Sequence, residues 1–191
     1  MIRLSDKALD AFIRNSNRIE GIEGDPRPQE IEAHQMVLRA ERVDRLILSD
    51  FVYSCAGVPI RAGAHQNVSV GNHIAPRGGE QIVTALEALL RWPVVSPKRV
   101  HDLFLWLHPY MDGNGRASRV LWLRKALRLV KPAEILNDPL GFFRHYLEES
   151  GRTVDSDDFY VLRRAYYDTL EQGDDATKAL WETAGFNFGR N

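Results

Sequence analysis

The chain has 191 residues, 44% of them hydrophobic and 27% charged, which are ordinary proportions for a folded globular protein and wrong for a disordered, collagen-like or low-complexity one. Its 25 basic and 26 acidic side chains leave a net charge of -1, so no overall field draws it to nucleic acid or to an anionic membrane. One cysteine, Cys55, excludes an intrachain disulfide framework, and a structural zinc site would have to rest on scattered histidines and carboxylates. The run Met1 to Lys7 lacks the apolar core of a signal peptide, and no run approaches the roughly 20 apolar residues of a membrane helix. These features predict a soluble cytoplasmic protein folded as one domain over residues 1–191.

Helical signals dominate. Leu9, Phe12, Ile13 and Ile19 fall on one side of a helix that Ser5 can cap and Gly21 can stop. Gly21 to Pro28 reads as a loop, with Pro28 suited to the first turn of the next helix. From Gln29 to about Ala56 the pattern is helical again, with a break near Ala40. Gly57 to Gly79 gathers closely spaced turn formers, and Val68 and Val70 alternate with Asn67 and Ser69 ahead of Gly71-Asn72. That predicts a short β-hairpin or flap, lying against the helices and mobile.

Helix resumes from about Gly79 to Trp92. Ser96-Pro97 then supplies an N-cap and a first-turn proline, Val100, Leu103, Phe104 and Leu107 form one inward face, and Pro109 ends that helix at His108. The next helix begins near Asn114 and turns Val120, Leu123 and Leu127 inward. Later helices are expected from Asp138-Pro139 to Gly151, from near Ser156 to Gly173, and around Trp181. With no internal repeat visible, the expected architecture is all-α with one hairpin.

The most informative segment is His108 to Arg119, H-P-Y-M-D-G-N-G-R-A-S-R. His108 sits at a helix end with a side chain able to take a proton near neutral pH. Asp112 is a hard carboxylate suited to Mg²⁺ that also holds substrate phosphates. Gly113 and Gly115 flank Asn114 where a helix opens, and there unpaired N–H groups and the helix dipole favour an anion. Arg116 and Arg119, three residues apart, add two guanidiniums for a polyphosphate. Taken singly, each feature also reads as a turn, a helix cap or a solvated charge.

Two other readings use different residues. Arg116, Arg119, Arg124, Lys125 and Arg128 concentrate basic charge for a nucleic-acid module, although the balanced net charge and the lack of a helix-turn-helix argue against it. Arg124, Lys125 and Arg128 are read instead as a solvated helix face. His65, His73, His101 and His108 could make a metal site, but they lack H-x-x-x-H spacing on a helix. His34 and His145 read as surface or half-buried residues.

The twelve-residue segment resembles the signature of the Fic/Doc family, H-P-F-x-D-G-N-G-R-x-x-R, and departs from it only in Tyr110 for phenylalanine. Tyrosine keeps the aromatic body but needs a partner for its hydroxyl when buried. Gly57 to Pro76 is similar to the family's flap, and Tyr166 to Leu170 resembles a downstream helix. The resemblance implies a helical core with a β-hairpin flap over 57–79, a signature loop and helix start over 108–119, and transfer of AMP from ATP to a protein hydroxyl. His108 would be the general base and Asp112 would hold Mg²⁺. Gly113, Asn114 and Gly115 would form the anion hole, with Arg116 on phosphate and Arg119 on the γ-phosphate. The flap residues Val68, Val70 and Ile74 would hold a target segment by strand addition. The Doc branch, which phosphorylates, carries lysine at the position of Gly115, so the glycine here favours nucleotidyl transfer.

Ser16 to Gly21 is similar to a second family pattern, S/T-x-x-x-E-G/N, placed as in the subclass with an N-terminal inhibitory helix, here residues 1–21. The resemblance implies that Ser16, Glu20 and Gly21 form that motif and that Glu20 pairs with Arg119 and displaces the γ-phosphate. Transfer of another phosphate-linked group, or AMP removal with Glu20 activating water, are the alternatives within the family. The partners implied are ATP and a target protein at the flap, with self-modification as one outcome, and neither nucleic acid nor membrane. Many chains of this subclass carry an added C-terminal domain, which is not expected within a sequence that runs to Asn191.

Overall fold

A computed structural model describes residues 4–92, 96–129, 138 and 140–188. The helices described are α1 (Asp6–Ile19), α2 (Pro28–Arg39), α3 (Arg45–Ala56), α4 (Glu80–Arg91), α5 (Pro97–Leu107), α6 (Asn114–Leu129), α7 (Gly141–Glu149), α8 (Phe159–Gln172) and α9 (Asp174–Thr183). Between α3 and α4 lie strands β1 (Ser69–Val70) and β2 (His73–Ile74), paired antiparallel as Ser69 with Ile74 and Val70 with His73. The expected all-α architecture with one hairpin is what the chain adopts. Among the described residues no helix is long and apolar enough to cross a membrane.

Local chemistry sets the helix boundaries. The Oγ atoms of Ser5 and Ser96 accept the backbone N–H groups of Ala8 and Arg99, both at 3.2 Å, so both expected caps form. Pro28 and Pro97 occupy first-turn positions, where a missing N–H costs nothing. The break after α2 runs from Ala40 to Asp44, and Asp44 caps α3 by accepting the Ile47 N–H at 2.9 Å. The expected start near Ser156 moves to Phe159, because Asp158 takes the cap and accepts the Tyr160 N–H at 2.8 Å. Residues 1–3 of the expected inhibitory segment and Pro139 of the expected α7 start lie outside the described residues.

Helix α6 is the axis of the molecule. Two apolar clusters meet on it. Ala117, Val120 and Leu121 pack with α3, α4 and α5, while Trp122, Leu123, Ala126 and Leu127 pack with α1, α7 and α8. The inward face expected from Val120, Leu123 and Leu127 is therefore only part of a helix buried nearly all round. Arginines hid this in the sequence, and the structure shows how they are accommodated. Arg124, 7% exposed, donates to the carbonyls of Leu38 at 3.3 Å and Glu41 at 3.0 Å, and Arg128 donates to Glu41 O at 3.2 Å, covering the carbonyls that end α2. The solvated face expected for Arg124, Lys125 and Arg128 is corrected accordingly: Arg124 is buried, Lys125 is half-buried with Nζ 3.4 Å from Trp92 O, and only Arg128 is exposed.

His34 is likewise buried rather than superficial. Its ring lies edge-on to Phe12 and Phe51, and Nδ1 donates to Glu30 O at 2.7 Å. Burial lowers its pKa to about 4. Tyr110 finds the partner that a buried tyrosine needs, with Ser49 Oγ at 3.0 Å from its hydroxyl.

Candidate active site

Helix α5 delivers His108 to the site. The residue caps the helix in the left-handed conformation at φ 47°, the only non-glycine with positive φ among the described residues, and Pro109 then turns the chain away. A side-chain residue held there is strained by roughly 1–2 kcal/mol, which the surroundings must offset. Arg61 provides that support. Its fully buried guanidinium donates to His108 O at 2.7 Å, Leu107 O at 3.0 Å, Gln66 O at 2.8 Å and Pro76 O at 2.9 Å. One side chain thus ties both ends of the flap to the end of α5, and burial lowers its pKa to about 10. A Cβ on Gly78 would run into the carbonyl of Gly63, so the flap root closes only around glycine there. Sequence reading missed Arg61, because an isolated arginine among turn formers looks like a surface residue.

The imidazole of His108 is set up to accept a proton. Nδ1 lies 3.3 Å from Leu105 O, and since a carbonyl only accepts, Nδ1 carries the hydrogen and Nε2 keeps its lone pair. Burial, with the neighbouring Arg61 and His73 charges, lowers the pKa to about 4, so the ring is neutral at physiological pH.

The loop from Tyr110 to Asn114 is closed by the Asn114 side chain. Its Oδ1 accepts the Tyr110 N–H at 3.0 Å and its Nδ2 donates to Tyr110 O at 2.8 Å. The carboxamide expected in the anion hole is thereby committed to shaping the loop, leaving backbone N–H groups of the first turn of α6 for an anion. Asp112 is exposed, with Oδ1 accepting the Gly113 N–H at 2.6 Å. Gly113 sits at φ 76° with Ala56 Cβ 3.0 Å from where its own Cβ would be.

Gly115 and Arg119 face a cavity of about 450 Å³ together with His108, Glu20, Tyr166 and the flap residues Val70 to His73. Arg116 does not line it. Around a helix axis Arg119 lies about 40° from Gly115 and Arg116 about 100°, so only the former shares the glycine's face. Arg116 instead donates to Cys55 O at 2.9 Å and lies 3.6 Å from the buried carboxylate of Glu30. Arg116, expected on phosphate, braces α6 against α2 and α3 in this arrangement.

The space against Gly115 is filled by a carboxylate. A Cβ on Gly115 would collide with Glu20 Oε1, and Arg119 Nη2 donates to that same oxygen. Arg119, 2% exposed, also donates through Nε to Ser16 Oγ at 2.8 Å and through Nη2 to Ser16 O at 3.0 Å. Ser16 and Glu20 are one helical turn apart, hence both reach one guanidinium. Gly21 completes the motif. At φ 77° it makes a Schellman ending, with Ile22 N–H to Asn17 O at 3.0 Å and Gly21 N–H to Arg18 O at 3.1 Å, so α1 stops immediately after aiming Glu20 at the cavity.

The flap contributes an exposed edge, with Val70 49% and Ile74 66% exposed and Val68 half-buried. It is anchored as well as placed: His73 Nε2 lies 2.8 Å from Trp106 O and Nδ1 lies 3.0 Å from Asp174 Oδ1. The four histidines of the metal-site reading have separate surroundings. His65 is exposed, His73 is on the flap, His101 is on Tyr166, and His108 is at the cavity. The described residues hold no group of three or more His, Cys, Asp or Glu fit to hold a metal. A family model described as the Fic/DOC family matches residues 21–124, more than half of the chain.

Proposed function

The chain belongs to the Fic/DOC family, whose members transfer phosphate-linked groups, and from that membership we propose that it transfers AMP from ATP to a Ser, Thr or Tyr hydroxyl of a protein and is held off by Glu20. The observation that carries this reading is the carboxylate packed against Gly115 and bound by Arg119 on a cavity shared with His108. An anionic group already rests where a helix N-terminus and a buried guanidinium converge, so the place is built for negative charge.

In the reaction, His108 Nε2 takes the proton of the target hydroxyl as its oxygen bonds to the α-phosphorus. The bond from that phosphorus to the bridging oxygen breaks and pyrophosphate leaves. First-turn N–H groups of α6 stabilise the charge on the phosphates, and Arg119 holds the γ-phosphate. This is catalysis by positioning and by fixed charge. The exposed flap edge around Val70 and Ile74 receives the target segment as an added strand, through backbone hydrogen bonds that demand little sequence.

Asp112 is the residue that would hold Mg²⁺. A single exposed carboxylate with no clustered second ligand suits an ion that keeps several waters and completes its shell with substrate phosphates. When bound, the ion neutralises phosphate charge. Glycine at position 115, where the phosphorylating branch of the family carries lysine, supports nucleotidyl over phosphoryl transfer. Incubation of the Glu20→Gly chain with candidate proteins and ATP labelled at either the α- or the γ-phosphorus tests the assignment. Label from the α-position alone is expected on protein. Label from the γ-position would replace AMP transfer with phosphorylation.

A further inference from the structure

His73 opens β2 at the tip of the flap, and its ring meets two elements from elsewhere in the chain. Nε2 lies 2.8 Å from the carbonyl of Trp106 in the last turn of α5, and Nδ1 lies 3.0 Å from Asp174 Oδ1 in the first turn of α9. The ring also leans on the Trp106 indole, with centroids 5.9 Å apart. The His73 side chain is 18% exposed, so the ring is mostly withdrawn from water.

The two acceptors fix the state of that ring. A carbonyl and a carboxylate only accept, so both nitrogens carry hydrogen and His73 is an imidazolium. A neutral ring would satisfy one partner and turn a bare nitrogen toward the other. The charge has its counterpart in place, because Asp174 is the first residue of α9, where the helix dipole favours a carboxylate. Among the described residues, the other titratable or charged groups around the same cavity are Glu20 of α1, Asp102 of α5, His108, Arg119 of α6 and Glu171 of α8.

Trp106 stands two residues before His108, and His73 pairs with Val70 across the hairpin. The ring thus joins the strands that border the cavity to the helix end that delivers the base. Arg61 ties the root of the flap, whereas the tip is a ribbon of two-residue strands, too short to hold itself. We propose that the His73 imidazolium, gripped by Trp106 and Asp174, is a positioning residue that fixes the flap tip beside His108, so that a strand added there carries its hydroxyl to Nε2. The placement of a target rests on the proposed transfer reaction. The clamp itself does not.

Three variants separate hydrogen bonding from packing. His73→Leu keeps an apolar body against Trp106 and no donor, and Asp174→Leu removes the acceptor. Asp174→Asn accepts from the imidazolium and can turn its amide to donate to a bare Nδ1, so it holds the ring in either state. The clamp is read by NMR in the chain without nucleotide at pH 7. Both ring nitrogens of His73 are expected to carry hydrogen and show imidazolium ¹⁵N shifts. Backbone ¹⁵N order at Gly71 and Asn72 is expected to fall in His73→Leu and Asp174→Leu and to stay in Asp174→Asn. Raising the pH until the ring loses its proton should loosen the parent's flap tip and leave that of Asp174→Asn unchanged. Function is read in the Glu20→Gly background as transfer of α-labelled AMP to the proteins of a cell lysate, beside calorimetric affinity for ATP with Mg²⁺. His73→Leu and Asp174→Leu are expected to reduce transfer by about tenfold, the worth of one hydrogen bond to a charged group, and to keep the affinity for ATP.

A neutral His73 ring at pH 7, or flap order unmoved by His73→Leu, would overturn the clamp. Equal behaviour of Asp174→Asn and Asp174→Leu would overturn it too. Affinity for ATP that falls in step with transfer would overturn the positioning role, because His73 would then serve the nucleotide. A Glu20→Gly chain that transfers no AMP, while its flap still answers to His73→Leu and Asp174→Leu, would keep the clamp and remove the proposed reaction.

Discussion

Glu20→Gly is expected to raise the initial rate of AMP transfer by roughly 30- to 100-fold, the consequence of losing about 2–3 kcal/mol of preference for the inhibited arrangement. The carboxylate contributes in two ways. It fills the space against Gly115, and it occupies the inner hydrogen-bonding edge of Arg119. Glycine removes both effects at a position whose backbone, φ -81° and ψ 2°, strains no residue, and it leaves Ser16 on the guanidinium. The change is therefore expected to act on the cavity rather than on the fold. The measurement is transfer of α-labelled AMP to protein, and equal rates for the two chains would refute inhibition by Glu20.

His108→Ala in the same background is expected to reduce transfer by at least about 100-fold, the lower end of what a positioned general base contributes. Affinity for ATP should stay close to the parent's, since the imidazole receives a proton and holds no phosphate. The pH dependence follows in sign from the burial of the ring. A base works when neutral, and burial has lowered its pKa from 6.5 to about 4. The value of kcat/KM, which reports the free enzyme, should therefore hold level from pH 7 down to about pH 5 and fall only as the pH approaches 4. Glu20 acts in the opposite direction, raising that pKa, so its removal moves the acid limb lower still. A limb near 6.5 would mean a solvated imidazole and a different base.

Much of this was legible from local chemistry. Ser5, Pro28, Ser96, Pro97 and Gly21 mark helix ends by hydrogen bonding and backbone restriction alone, and each acts where the sequence places it. Gly71-Asn72 marks the hairpin in the same way, since a two-residue connection needs a residue at positive φ and Gly71 has φ 57°. What the sequence concealed depends on partners distant along the chain. Arg61 looks dispensable until four carbonyls from the flap and α5 surround it. Arg116 and Arg119 are chemically alike in sequence, and only the packing of α6 sends one to Cys55 and Glu30 and the other to Glu20. The burial of α6 was hidden for the same reason, because arginines blur an apolar pattern and nothing local shows that carbonyls at the end of α2 await them. The link from Tyr166 through His101 to Asp102 joins α8 to α5, a pairing that no periodicity reports.

The central claim is that Glu20 stands in for a phosphate. A crystal structure of the Glu20→Gly chain with Mg²⁺ and ATP tests it most directly. The account predicts the γ-phosphate beside Gly115, hydrogen-bonded to Arg119, in the volume that the carboxylate fills now. A triphosphate bound elsewhere, with Arg119 still turned to Ser16 and no phosphate oxygen within reach, would contradict it.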